Sequence, residues 1–304
     1  MIRIVEQHLQ SKKSSVPDDG GEDCIIVTDH LAAIIDGATA KTPSRYVYDG
    51  KEAAPGKIAS GICRQSILML DPQMEALPAC QFINEQIYQA YVRYGILDKA
   101  RKYPNERFAA SFVLYNQIKN YVVFAGDCQG IVNDKYYQKS KTVDNLNAEA
   151  RSAELDRLLK SGEITLAQLA LMPIDEEPGR KWILSPPEGS GFPGLVGQSL
   201  HQNNPDSELG FYANDGFPEF SLEGFEVIKV PHGTSQIILT SDGYPVAPGQ
   251  DPVKTLSSLE MAEENLKDIK EKDPFCLSLY KSTKGMGNLE SFDDRAYLKI
   301  SIAR

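Results

Sequence analysis

Five Asp-Gly dipeptides punctuate the sequence, at Asp19-Gly20, Asp36-Gly37, Asp49-Gly50, Asp215-Gly216 and Asp242-Gly243. Each is by default a tight turn, because both residue types accommodate a reversal of the backbone. Two of them differ in what precedes them. Leu31-Ala-Ala-Ile-Ile-Asp36-Gly37 and Ile237-Ile-Leu-Thr-Ser-Asp242-Gly243 end hydrophobic runs with an acid, which delivers a carboxylate to the rim of a buried sheet. Tyr121-Val-Val-Phe-Ala-Gly-Asp127 does the same, Asp293-Asp294 precedes the strand-like Arg295-Ala-Tyr-Leu-Lys-Ile, and Glu22-Asp23 precedes Cys24-Ile-Ile-Val. Bare carboxylates gathered at one edge would repel each other by ~4 kcal/mol per pair at about 4 Å and an effective dielectric of about 20. Divalent cations relieve that repulsion. A set of oxygen donors without a His or Cys cluster favours Mg or Mn over zinc or copper.

Strands must carry these acids to a common edge, and the sequence supplies strands in groups. Runs rich in Val, Ile, Phe or Tyr, bounded by Gly, Asp or Asn, cover residues 24–28, 31–35, 108–115, 121–125, 130–133, 225–230, 236–240 and 296–302. Between the first two groups lie helical segments: Phe82, Ile83, Gln86, Ile87, Ala90, Tyr91 and Tyr94 recur at the spacing of one buried helix face. Residues 56–70 follow Pro55, which suits a first helical position. Further helices are expected over 147–160, 165–171 and 257–270, the last opened by a capping box of Ser257 and Glu260. Grouped strands with helical pairs inserted, rather than strict β-α-β alternation, argue for an α+β fold of packed sheets with helices outside. The 304 residues read as a single elaborated domain, 1–304. Within it, residues 186–224 hold five prolines and little regular pattern. That is too long for a passive connector and reads as an ordered insertion beside a site or a flap.

In this order the motifs resemble those of the PP2C-like, metal-dependent (PPM-type) protein phosphatases. Glu22-Asp23, Asp36-Gly37 thirteen residues beyond Asp23, Gly126-Asp127-Cys-Gln, Ser241-Asp242-Gly243 and Asp293-Asp294 follow one another over residues 22–300. The resemblance implies a four-layer αββα sandwich, two antiparallel sheets flanked by helices. It implies that Asp36 bridges two divalent cations, Mn or Mg, that the Gly37 carbonyl and Glu22 serve one, and that Asp242 and Asp293 hold the other. Asp23 would hold a water on the metal, and Asp127 would serve a third, weaker site. On this reading Asp36, Asp23 and Asp242 are the catalytic residues of a phosphomonoester hydrolase. A water bridging the two cations attacks phosphorus in line, so no protein nucleophile is needed. The implied partners are proteins carrying phosphoserine or phosphothreonine.

The sequence also departs from that family pattern. Asp36-Gly37 continues into Ala38-Thr39-Ala40-Lys41 rather than a His-Gly-Gly run. No arginine precedes Glu22-Asp23 within Pro17-Asp-Asp-Gly-Gly21, and Ala110-Ser111 stands where a Gly-Thr pair is expected. Lys12, Lys13, Lys41 and Lys284 are the cationic replacements at hand, and Lys41 and Lys284 are the candidates for gripping substrate phosphate. These departures keep two alternatives open: a phosphatase of a small phosphorylated metabolite, and a catalytically inactive binding or scaffold protein.

Other functions are disfavoured. A formal net charge of −10 without a large basic block opposes nucleic acid and anionic membranes. Five scattered cysteines without a C-x-x-C pair suit reduced thiols in a cytoplasmic protein. The amino-terminal residues carry charge where a signal peptide would have its apolar run, and no stretch of about 18 apolar residues suggests a membrane span. Gly189-Ser-Gly191-Phe-Pro-Gly194 matches G-x-G-x-x-G, but its prolines oppose a strand-to-helix turn, so it reads as loop.

Overall fold

Alternation along the central strands sets the layers. In a computed structural model describing residues 1–13, 21–217, 224–287 and 289–302, strand β3 (Leu31–Gly37) is buried on both faces. Ala33 and Ile35 point to one side, where they meet Ile58, Ile62, Ile83 and Ile87 of the helices. Ala32 and Ile34 point to the other, against Ile237, Leu239, Leu298 and Ile300 of a second sheet. Because neighbouring side chains on a strand face opposite ways, this two-sided burial explains why β3 reads as an unbroken apolar run.

One sheet has the order β10 (Phe225–Lys229), β7 (Tyr121–Ala125), β6 (Ala110–Asn116), β3 and β2 (Cys24–Val27). The other runs β1 (Arg3–Gln10), β12 (Arg295–Ser301), β11 (Gln236–Thr240), β8 (Gln129–Val132) and β9 (Lys135–Gln138). All neighbours in both are antiparallel. A ribbon of β4 (Tyr46–Tyr48) and β5 (Lys51–Ala53) stands apart. Helices α1 (Pro55–Met69) and α2 (Ala76–Tyr94), followed by the short α3 (Leu97–Lys102), cover the outer face of the first sheet. Between β9 and β10 come α4 (Thr142–Ser161), α5 (Leu166–Leu171), α6 (Pro178–Leu184) and α7 (Gly194–Gly197). Then α8 (Pro252–Thr255) and α9 (Leu259–Lys272) follow β11, and Leu256 and Ala262 pack there on Ile131, Ile238 and Tyr297 of the second sheet. Helix, sheet, sheet, helix is therefore the layer order, the α+β sandwich that the motifs imply.

Every strand expected from the sequence is present, within a few residues at its ends. Strand β1 was not expected. Four of its eight residues are exposed and only Gln10 is buried, as befits the edge position, so it lacks the apolar run that marks its partners. Pro55 does open α1, and Thr165 caps α5 with Gln168 in a reciprocal box. The cap of α9 is a correction. Ser258, not Ser257, accepts from the Met261 amide at 3.2 Å, because Ser257 is occupied in closing the α8 turn, donating to the Lys254 carbonyl at 2.8 Å. Gly189–Gly194 forms a loop whose last glycine opens the four-residue α7. Asp19-Gly20 and most of the stretch from Pro17 to Gly21 lie outside the described residues, as do 218–223 of the insertion.

Candidate functional site

Antiparallel register brings the acids together. The end of β3 pairs with the starts of β2 and β6, and the start of β6 with the end of β7. In the other sheet the end of β11 pairs with the starts of β8 and β12, and the end of β1 with the start of β12. Asp127 sits in the connection from β7 to β8, where the chain crosses from one sheet to the other. All the motif acids thus stand at one end of the sandwich. A cleft of about 200 Å³ opens there, with Asp36, Asp127, Asp242 and Asp293 in its lining together with Lys41, Lys141 and Lys284. Glu22, Asp23 and Gly37 are not in the lining, but they pack close by. The Gly37 amide donates to the Glu22 carbonyl at 3.3 Å, and Asp23 is the carboxylate with the strongest influence on Asp36.

The four cleft aspartates fall into two kinds. Asp36 and Asp242 line the same cleft and act on each other as like charges. Burial first, then neighbouring acids, pushes both carboxyls well above the usual carboxylate range. Among the described residues neither has a lysine or arginine at salt-bridge distance. Asp293 is the opposite case, with Lys12 Nζ 2.7 Å from Oδ1 and Lys284 Nζ 2.7 Å from Oδ2. Burial opposes its ionisation, yet the two ammonium groups hold it below the usual range. Asp127 resembles Asp293: Lys141 Nζ lies 2.6 Å from Oδ2 and the Ser111 hydroxyl donates to Oδ1. Again burial is outweighed by the cation, and the carboxyl is held low.

Other residues build the frame. Asp294 is a brace, accepting from the Lys12 amide at 2.9 Å and the Glu22 amide at 2.8 Å. It thereby joins the segment after β1 and the start of β2 to the start of β12. Gly21, at φ +59°, leaves room for it: a Cβ there would overlap the Asp294 carboxylate. The insertion contributes too. Leu195, Gln198, Gln202 and Phe211, from within residues 186–224, line the cleft. Arg151 of α4, fully buried, pairs with Glu177 at 2.8 Å and donates to the carbonyls of Phe275 and Ser282 at 3.0 Å each. Arg180 donates to the Thr283 carbonyl at 3.2 Å. The loop bearing Lys284 is therefore held from two sides. Sequence reasoning missed Arg151, which is one charge among several on an ordinary helix, and it undervalued Lys12. The signal for Lys12 is register: once β1 pairs with β12 with Gln10 opposite Arg295, Lys12 must stand beside Asp293.

Do these residues suit divalent cations? Asp36 and Asp242 do, being oxygen donors that line one cleft without a lysine or arginine at salt-bridge distance among the described residues. Asp23 Oδ2 is buried without a hydrogen-bond partner, an unmet acceptor beside the same pair. Asp293 and Asp127 do not as arranged, since their oxygens already hold ammonium groups or a hydroxyl. Among the described residues no group of three or more His, Cys, Asp and Glu side chains is arranged to hold a metal ion.

No protein-family model matches the sequence, and no curated protein matches it significantly. Among solved structures it is similar to the serine/threonine phosphatase PstP/Ppp of Mycobacterium tuberculosis, at 15% identity over 100% of both chains, with a TM-score of 0.44. PppA of Pseudomonas aeruginosa, a regulatory component of its T6SS, aligns at 15% identity over 99% of each chain, with a TM-score of 0.45. The PPM Ser-Thr phosphatase MsPP of Mycobacterium smegmatis, solved with cacodylate, aligns at 14% identity over 99% of this chain and 100% of its own, with a TM-score of 0.47.

Proposed function

We propose that this chain is a divalent-cation-dependent phosphomonoester hydrolase acting on phosphoserine and phosphothreonine in proteins. The observation that carries the reading is the Asp36–Asp242 pair: two carboxyls lining one cleft, without an ammonium partner at salt-bridge distance among the described residues, while the walls carry lysines. Protein side chains alone leave that pair with a like-charge conflict that a shared proton or a cation must settle. A bound Mn or Mg ion supplies charge neutralisation for the transferring phosphoryl group and acidifies water.

The chain's own residues do the rest. Asp36 and Asp242 would hold the cation, and the Gly37 carbonyl and Glu22 would be further oxygen donors to it. Asp23, with its free acceptor oxygen, orients a water by accepting its proton in a hydrogen bond. Lys41 lines the cleft without a hydrogen bond or ion pair of its own among the described residues, and is thus available to a phosphate oxygen. The described part of the insertion walls off one side and restricts access. Cys63, Cys80, Cys128 and Cys276 are buried free thiols, which supports a reducing, cytoplasmic setting. No helix among the described residues is long and apolar enough to cross a membrane.

One observation favours a second reading, a phosphoprotein-binding module without turnover: the lysines on Asp293 and Asp127. Hydrolysis of p-nitrophenyl phosphate and of a phosphothreonine peptide, with added Mn and with chelator, separates the two. Mn-dependent, chelator-sensitive release of phosphate is expected. Binding of the phosphopeptide with no release at any Mn concentration establishes the second reading instead.

A further inference from the structure

The lysines around Asp293 are more than neighbours of an acid. Lys12 and Lys284 each reach a different oxygen of the same carboxylate, both at 2.7 Å, and Lys12 lies a further 3.5 Å from Asp294 Oδ2. Their side chains are exposed by only 11% and 9%, so neither is a surface lysine that happened to fold inwards. Both are also delivered by rigid parts of the structure. Lys12 follows β1, and Asp294 ties down its backbone amide. Lys284 rides on the loop that Arg151 and Arg180 hold through carbonyls. Two ammonium groups match Asp293 and Asp294 one for one without help from outside. A divalent ion placed on Asp293 would face two like charges at close range, each repelling it twice as strongly as a monovalent ion. Lys141 and Ser111 satisfy Asp127 by the same device.

From this we infer that lysine side chains take the place of cations at Asp293 and Asp127, so that the acidic cleft of this chain binds a divalent ion only at Asp36 and Asp242. The inference rests on the reading of Asp36–Asp242 as the cation centre, but it concerns stoichiometry and not turnover. It sets this site apart from the arrangement of two cations and a weaker third that the motif resemblance implies.

The test is titration calorimetry of the full chain with MnCl2, with equilibrium dialysis as an independent count of bound Mn. The unsubstituted chain should bind a single equivalent. Asp242→Asn should abolish it, while Asp293→Asn and Asp127→Asn should leave it in place. The paired substitution Lys12→Met with Lys284→Met should create a second equivalent, which Asp293→Asn in that background removes. If the paired variant does not fold, the unsubstituted chain and Asp293→Asn decide alone. Two equivalents in the former, falling to a single one in the latter, overturn the inference, and so does the absence of any Mn binding. Phosphate release is assayed on the same samples. A single bound Mn without hydrolysis defeats the proposed function and spares this inference; two bound Mn with hydrolysis does the reverse.

Discussion

Two of the places where this protein draws charge away from solvent are built on opposite principles. Around Arg151, in α4, one guanidinium meets the Glu177 carboxylate and the carbonyls of Phe275 and Ser282, so unlike charges and dipoles close on each other. At the rim of the sandwich, Asp36 and Asp242 bring like charge onto like, without an ammonium partner among the described residues. The first arrangement joins α4, α6 and the loop before β12. The second sets acid against acid, and each favours its neighbour's neutral form. A protein that balances a buried arginine with one carboxylate and three carbonyls has the means to balance two aspartates. It does so at Asp293 and Asp127, and not at Asp36 and Asp242.

The largest test of that contrast is Asp36→Asn or Asp242→Asn. On the proposed reading each should reduce phosphate release by about 10³-fold or more, since several kcal/mol of charge stabilisation would depend on a cation at this pair. The same substitutions should leave the metal-free protein as stable as before or raise its melting temperature, because a like-charge contact is removed. Equal activity, or a large loss of stability, would place the pair among the structural charges. Next in size is Arg151→Met, which strands Glu177 in the interior. Removing one partner of a buried ion pair costs roughly 3–5 kcal/mol, so chemical denaturation should show a loss of that order. An unchanged midpoint would mean that the guanidinium merely fills space.

The contrast also explains what could be read from sequence. A carboxylate at the end of an apolar run is a local pattern, so Asp36, Asp127 and Asp242 are legible from the few residues before them. The strands that carry them are legible for the same reason, being buried on two faces. Lys12 is not, because its strand is a polar edge that becomes a strand only by pairing with β12, and its position follows from that long-range register. Arg151 is still less legible. Its partners lie 26, 124 and 131 residues away in the chain, and nothing local distinguishes it from an exposed helical arginine. The cap of α9 shows the limit at short range, where two adjacent serines compete and the preceding turn of α8 decides which is free.

The smallest expected effect, and the sharpest on the substrate side of the cleft, concerns Lys41. Lys41 differs from Lys12 and Lys141 in having no carboxylate at salt-bridge distance. Burial first, then Arg180 and Lys284, lowers its pKa from the ordinary lysine value to about 8, whereas the carboxylates beside the other two outweigh burial and raise theirs. For a base whose folded pKa lies below its unfolded one, the ammonium is present below about 8 and lost above it. The folded chain then binds fewer protons than the unfolded one, so this group's contribution to stability improves as pH rises from there towards the ordinary lysine range. Its contribution to substrate binding runs the other way. A charge-assisted hydrogen bond to phosphate contributes roughly 1.5–3 kcal/mol, so Lys41→Ala should raise KM by about tenfold or somewhat more, with kcat nearly unchanged, the pattern of a lost ground-state contact. In the unsubstituted protein, KM should climb as pH passes about 8. Lys41→Arg keeps its charge throughout that range and should flatten the climb. Steady-state kinetics of the three proteins at a series of pH values, with Mn saturating at each, measures this directly. A KM profile that rises equally in Lys41→Arg would move the titration to another group and return Lys41 to the wall of the cleft.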